Sequence, residues 1–382
     1  MSFTGKTTYS AGTGFPELVD DVSDVVSLVA PAETPLLDEI GDGLRACTTT
    51  RHEWLEDQML DNTGTINQVG LNDADHATAI LPVTGASRFQ AGDLVRVVGS
   101  RELLRVVQVD LTDDLLQVVR GYADSVAGAI QHGMKLVIMA NPAGEGAEAP
   151  APRFTVRKRE GNTTQIFARQ VKLSGSELAV RHAGVEDELD YQKQMRLREL
   201  LRELENSLIN GTEAAGDENT PRMLGGIISR IKSNVMTPGT GGMPAGTTLT
   251  EALLNAAIRQ VWEVSGAQVN LIVVGGAQKR ALNQFASAQR VFTAGAEVYK
   301  NLVSAYESDY GRARIVLSRY VPSDTVLLLE AGRLSVLPLA GRSFHYKALA
   351  STGDYVAGEL IGEYTLEMRN EACHGVLTGL AS

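Results

Sequence analysis

Cysteine is scarce: Cys47 and Cys373 are the two in 382 residues, they lie near opposite ends, and they form no C-x-x-C pair. A disulfide framework and a cysteine-rich zinc site are both unsupported, and a cytosolic redox environment is favoured. Long apolar runs are missing too. No stretch approaches the roughly 18 residues that span a bilayer, and the start MSFTGKTTYSAGTGFPE has no basic segment leading into an apolar one, so neither a membrane helix nor a signal peptide is expected. Positive charge is in deficit, with 35 Lys and Arg against 46 Asp and Glu and a net charge of −11. Attraction of the whole molecule to phosphate is therefore disfavoured, and a nucleic-acid reader would need a strong local basic patch. The best candidate runs from Arg153 to Arg159, where basic residues alternate with apolar ones as on one face of an exposed strand.

What is present is ordinary for a folded chain: 43% hydrophobic and 21% charged residues, with length for two or three modules. The first fifty residues carry one short helical pattern, Glu17 to Val26, stopped by Pro31 and Pro35. With too little apolar surface for a core of its own, this segment reads as an arm. From Arg51 to about Thr84, two extended stretches flank a Gly/Asn/Asp-rich tract, which predicts a long projecting hairpin. Its return limb is postponed, because Phe89 to Met139 holds four closely spaced β-rich runs with short turns between them. That texture predicts a small all-β barrel or sandwich, closed off by the Ala/Gly/Glu/Pro-rich linker 141–152.

Residues 153–180 are again strand-like. The clearest helix follows: Leu197, Leu200, Leu201, Leu204 and Leu208 fall on one stripe, Asp190 can pair with Lys193 and Glu199 with Arg202, and Asn210-Gly211 supplies a stop. At up to about 26 residues this rod would be roughly 39 Å long. Beyond it, a helix from Leu249 to Ser265 capped by Thr250, a strand at Leu271–Val274, a helix from Ala277 to about Ser287, and strands at Ile315–Leu317 and Thr325–Leu329 form an α/β portion. Residues 359–377 read as β structure returning to the rod. There is no internal repeat, and the fold class is α+β.

Sites for chemistry are weak. The Gly275-Gly276 turn after Val274 lacks both glycine-rich phosphate fingerprints and reads as a structural turn. His52-Glu53 and Asp73-Ala74-Asp75-His76 sit in hairpin limbs or tips, where such side chains are normally solvated. His132, His182, His345 and His374 are isolated, and no nucleophile is placed by a recognisable motif. No catalytic, metal or cofactor site is expected. Trp54 and Phe167 are expected to pack across strands. The distinctive features are mechanical: an arm, a hairpin and a rod that gain stability by lying against other subunits.

Four stretches carry a likeness: 20–36 (DDVSDVVSLVAPAETPL), 51–57 (RHEWLED), 162–184 (NTTQIFARQVKLSGSELAVRHAG), and the rod through Gly211 followed by Leu224-Gly225-Gly226-Ile227, with EYTLEMRNE near the C-terminus. In their order they resemble the major capsid proteins of tailed bacteriophages, the family of the Hong Kong 97-type capsid fold. The resemblance implies an N-terminal arm at 1–50 and an E-loop from 51–84 and 147–172. It implies an inserted β-barrel domain at 86–146, a peripheral domain from 173–249 and 341–382 with a spine helix at 184–211, and an axial domain at 250–340. It places Arg51, Glu53, Trp54, Glu56, Asp57, Arg157 and Arg159 of the E-loop at contacts between subunits.

The function implied is that of a shell subunit, not an enzyme. It would self-assemble into hexamers and pentamers of an icosahedral head in the host cytoplasm, become part of the virion, and enclose double-stranded DNA without reading its sequence. A portal protein and a decoration protein are implied partners. A separate scaffolding protein is expected, because the chain begins too close to the arm to include a scaffolding segment. The alternatives are an encapsulin-type nanocompartment shell of the same fold and, from a different class, a soluble α/β enzyme using the Gly275 turn.

Overall fold

The structure, a computed structural model, describes residues 34–41, 45–57, 59, 61–68, 79–146, 152, 155, 157–180, 187–288 and 305–381. The arm helix expected at Glu17–Val26, the Asp73–His76 cluster and His182 lie outside the described residues. The chain divides into two units, one made of the chain up to Trp54 and from Arg159 onward, the other Leu55–Lys158.

The smaller unit is a closed six-stranded barrel in the order β2-β3-β6-β5-β4-β7. Its strands are β2 (Thr63–Ile66), β3 (Ile80–Thr84), β4 (Leu94–Val97), β5 (Leu103–Asp110), β6 (Leu115–Val119) and β7 (Lys135–Ala140). Alternate residues point inward, so Leu81 and Val83, Val95 and Val97, Leu104 and Val106, and Leu116 and Val118 fill the interior with Ile66, Phe89 and Leu136. One charged pair is buried here. Glu102 is fully covered and takes Arg120 Nε at 2.6 Å and Nη2 at 2.8 Å, together with the backbone N–H of Gly121 and Gly128 at 3.1 and 2.9 Å. A carboxylate with this many donors stays charged: burial pushes its pKa up, and the Arg120 and backbone hydrogen bonds pull it below the ordinary value.

The barrel corrects the boundaries expected for the insertion. β2 and β3, expected in the outgoing hairpin limb, pair with β7 and β6 and close the cylinder. Their sequence is extended in either setting; only the partner strands, dozens of residues away, decide between limb and barrel wall.

In the larger unit, α1 (Pro35–Ile40) precedes β1 (Arg51–Glu56), which pairs with β8 (Lys158–Thr163) as a two-stranded ladder. β9 (Gln165–Ser174) follows, then α2 (Gly175–Ala179), capped by Ser174, and α3 (Glu188–Asn210), capped by Asp187. The helical turn of α2 falls in a segment expected to be strand throughout, because the Ser174 cap satisfies the Glu177 N–H and starts a helix there. α3 ends where Gly211 and Gly226 approach so closely that a Cβ on Gly226 would lie 2.6 Å from the Gly211 nitrogen.

Two sheets flank α3. The first contains β9, β15 (Leu334–Pro338), β16 (His345–Leu349) and the 14-residue β17 (Tyr355–Met368), with β9 on one side of β17 and β15 and β16 on the other. The second is six-stranded, in the order β10 (Val235–Met236), β18 (Gly375–Leu377), β14 (Val326–Leu329), β11 (Leu271–Val274), β13 (Gly311–Leu317), β12 (Ala305–Ser308). α4 (Ile227–Arg230) adjoins α3, while α5 (Glu251–Ser265), capped by Thr250, and α6 (Gly276–Ala288) complete the elements. Within the six-stranded sheet, Leu271, Val273, Leu327 and Leu329 face one core with α3; Ile272, Val274, Val326 and Leu328 face another with α5. Period-two alternation on strands buried on both faces thus divides the apolar residues between two cores.

The expected limits at 249/250 and 340/341 do not coincide with the sheets. β15, from the stretch expected to be axial (250–340), pairs with β17 from the stretch expected to be peripheral (341–382), and β18, from that second stretch, joins the six-stranded sheet. Both strands are short and apolar, so their sequence is compatible with either sheet; register against a distant partner selects one.

Leu200, Leu204 and Leu208 of the expected stripe are in the core; Leu197 is half-buried against it, and Leu201 is half-buried at its side. Lys193 meets Asp190 at 2.7 Å, as expected, and Glu199 is bound by Arg196 at 2.7 Å. Glu205, on the same helix, is fully buried and accepts the Leu36 and Leu37 N–H groups at 3.1 and 3.4 Å and the Ser318 hydroxyl at 2.8 Å. It thereby serves α1, whose own Thr34 provides no side-chain cap.

Barrel entry and exit are adjacent, since Thr63 is paired with Val137 and Ile138 N–H donates to the Asn62 carbonyl at 2.7 Å. Replacing residues 63–140 with a short Gly/Ser linker should therefore leave the larger unit folded, with a thermal midpoint within a few degrees of the parent. Deleting only 89–139 strands β2 and β3 with their apolar faces exposed and should give aggregated protein by size-exclusion chromatography.

Candidate functional site: the charged ladder and its root

β1 alternates strictly, with Trp54 buried and Arg51, Glu53 and Leu55 exposed. This is the pattern of a strand with one covered face. On the open side, Glu53 lies 3.5 Å from Arg51 and 3.5 Å from Arg159, and Asp57 lies 3.9 Å from Arg157. The Asp57 carboxylate also accepts the Thr155 hydroxyl at 3.1 Å. Arg157 and Arg159 are about 70% exposed, so these pairs are screened by water and each contributes little to stability, about 0–1 kcal/mol. Glu56 ends β1 half-buried. In the larger unit Arg51, Glu53 and Arg159 lie together on the ladder, in the smaller unit Asp57 pairs with Arg157 just past the strand ends, and Trp54 is withdrawn into its own chain.

The root of the ladder is built differently. Trp54 is 8% exposed, with the Arg230 guanidinium 5.2 Å from its ring centroid and the His52 ring 5.8 Å away. His52 Nε2 sits 2.7 Å from a Glu367 carboxylate oxygen, and Arg369 bonds the other oxygen. The His52 and Arg369 hydrogen bonds hold the Glu367 carboxyl below the usual range in spite of burial. Arg51 reaches Glu213 at 3.1 Å, and Glu213 also accepts from Thr163 and Arg230 at 3.2 and 3.4 Å. Asn162, fully buried, donates to the carbonyls of Gly225 and Leu366 at 2.9 and 2.8 Å and accepts the Gly225 N–H at 2.8 Å. Beyond the ladder, Glu363 gathers Thr164 at 2.6 Å and the arginines Arg222 and Arg342, each at 2.9 Å.

His52, Glu367, Arg369, Arg230, Glu213 and Asn162 were not singled out in the sequence as a constellation. His52 and Glu367 are 315 residues apart, and no local spacing announces such a pair. Phe167, expected to pack across strands, is 3% exposed and meets Phe344 edge-on at 6.3 Å. Among the described residues, no group of three or more metal-ligating side chains is assembled.

The root carries a pH dependence of definite sign. A folded-state carboxyl held below 4.5 contributes stability that is complete above that pH and is lost as the pH falls through the folded value. Glu367→Gln should lower stability at pH 7 by about 1–3 kcal/mol, because it removes charge-assisted bonds to His52 and Arg369. It should also flatten the acid side of a plot of thermal midpoint against pH below about 4.5, recorded by circular dichroism.

Comparison with known proteins gives this geometry a context. The family model described as SU10 major capsid protein matches residues 2–381. Among solved structures, the capsid of cyanophage A-1(L) is similar at a TM-score of 0.54 and 12% identity, over 98% of this chain and all (100%) of that one. A chain of Microbacterium phage Oxtober96 gives 0.52 at 12% identity over 94% and 96%, and the capsid of a native GTA particle gives 0.52 at 11% over 99% and 100%. No curated protein matches the sequence. The structural likenesses establish the Hong Kong 97-type fold, and the family match favours the capsid reading over the nanocompartment and the α/β enzyme. The chain belongs to the SU10 major capsid protein family, and it is a major capsid protein.

Proposed function

We propose that copies of this chain close into hexamers and pentamers of an icosahedral head around double-stranded DNA, with a structural rather than a catalytic role. The family match across residues 2–381 carries the reading. The ladder supports its mechanical part. A two-stranded hairpin is marginal in water, and this one presents arginines and carboxylates in alternation with both outer edges unpaired among the described residues. Arg51, Glu53, Asp57, Arg157 and Arg159 then serve as a polar contact with a neighbouring copy, where desolvation strengthens pairs that are weak in the isolated chain. The spine formed by α3 keeps each subunit rigid while the ladder engages its neighbour.

The net charge of −11 suits a lining that does not grip DNA; contacts with the genome are weak, salt-dependent and independent of sequence. Assembly in the host cytoplasm with a scaffolding protein, incorporation of a portal, and attachment of a decoration protein belong to the same proposal.

Reversing both ladder arginines, Arg157→Glu with Arg159→Glu, should leave the thermal midpoint of the unassembled chain within about 2 °C, since the pairs are exposed. The same change should abolish shells in negative-stain images and in sedimentation profiles. Normal shells from this variant would remove the ladder from the interface. Particles recovered from infected cells and treated with nuclease should retain protected double-stranded DNA; particles filled with protein cargo instead would overturn the genome-enclosing role.

A further inference from the structure

Two crossings join the two sheets of the larger unit, and a third segment, entering the six-stranded sheet from α4, is hydrogen-bonded to one of them. Residues 231–234 lead from α4 to β10, residues 330–333 lead from β14 to β15, and residues 369–374 lead from β17 to β18. They are tied to one another by hydrogen bonds. Arg369 N–H donates to the Arg333 carbonyl at 3.0 Å. Glu371 accepts the Lys232 and Ser233 N–H groups at 3.0 and 3.1 Å and also the Ser233 hydroxyl. Asn234 donates to the carbonyls of Ala372 and His374 at 2.7 and 2.9 Å.

His374 lies among these crossings with no exposed surface, and its Nδ1 accepts the Glu330 N–H at 3.2 Å. Accepting at Nδ1 places the ring's single proton on Nε2. A second proton would have to enter at Nδ1, where a donor already points, and it would put a positive charge in a site closed to water. The charged groups facing the ring are Arg333 from the crossing after β14 and Glu371 from the crossing after β17. Glu330 pairs with Arg333 at 2.7 Å, and Arg369 is engaged with Glu367 and through it with His52.

We propose that His374 is an acid-sensitive pin in the joint between the two sheets, so that its protonation frees the crossings while both sheets stay folded. Burial lowers the pKa of the imidazole to about 4; Arg333 adds to the lowering, and the Arg369 backbone and Glu371 oppose it. The sign follows from linkage. A histidine held neutral when the joint is closed stabilises that closure fully above its free value of about 6.5, and the stabilisation is lost as the pH falls toward 4. The device concerns how the two sheets of the larger unit are held together, and it stands whether or not the charged ladder touches a neighbour.

Hydrogen exchange read by mass spectrometry on the full chain tests it. After correction for intrinsic rates, peptides covering 328–334 and 369–376 should exchange about twentyfold faster at pH 5 than at pH 7, the ratio that closed and open values near 4 and 6.5 require. Peptides covering 271–274 and 197–209 should not change. In His374→Asn, whose amide oxygen can accept the Glu330 N–H but cannot gain a proton, the acceleration should vanish. An unchanged joint in the parent protein overturns the proposal. So does an equal acceleration in the variant, which would assign the effect to a group other than His374. Should the variant fail to fold, deuterium exchange at the imidazole C2–H of His374 in the parent chain decides: a midpoint near 4 supports the pin, and one near 6.5 refutes it.

Discussion

The apolar stripe of α3 is the constraint from which the body of the protein follows. Leu200, Leu204 and Leu208 share one core with Leu271, Val273, Leu327 and Leu329 of the six-stranded sheet and with Phe167, Val336, Leu360 and Leu366 of the four-stranded sheet. Both sheets therefore keep an inner face dry through the same helix. Burying each leucine stabilises the fold by about 1.5–3 kcal/mol, and the benefit is held jointly by elements from distant parts of the chain. Glu205 extends this arrangement: from the same helix it accepts the covered N–H groups of Leu36 and Leu37 and ties α1 to the core.

Packing on the outer side of α3 shows how backbone and side chain cooperate. β17 carries Gly358 and Gly362 opposite Val171 and Phe167 of β9. Neither glycine has room for a Cβ, because Tyr346 lies over the first and Phe344 over the second. The rings cover strand that would otherwise lack side chains and add their own area to the core, with Phe344 4.8 Å from Tyr364 and the Lys193 ammonium 4.7 Å from the Tyr346 ring. The result is a strand whose glycines are closed over by aromatic rings from the neighbouring chain segment.

Exposure changes along the ladder. At its root Glu367 is buried and held by His52 and Arg369, and the more exposed Glu213 is held by Arg51, Thr163 and Arg230, whereas the charged groups farther along are open to water. The weak pairing of these exposed charges is the property on which their proposed contact with a neighbouring copy rests. The barrel follows a different rule: its interior is filled by its own side chains, and the buried Glu102–Arg120 pair is satisfied within it.

Local sequence determined the elements with a strong period or a clear stop. The α3 stripe, the Thr250 cap of α5, the apolar run of β11 and the closely spaced strands of the barrel are legible because each depends on residues within a few positions of one another. The order of the stretches that resemble capsid proteins made the fold class legible as well. What neighbours in sequence could not determine was partnership: β2 and β3 as barrel walls, β15 and β18 exchanged between the sheets, Trp54 withdrawn beneath Arg230, and His52 set against Glu367. These outcomes were decided by tertiary structure, because a short apolar strand or a lone ionisable side chain is compatible with several environments, and only the distant residues that remove it from water choose among them.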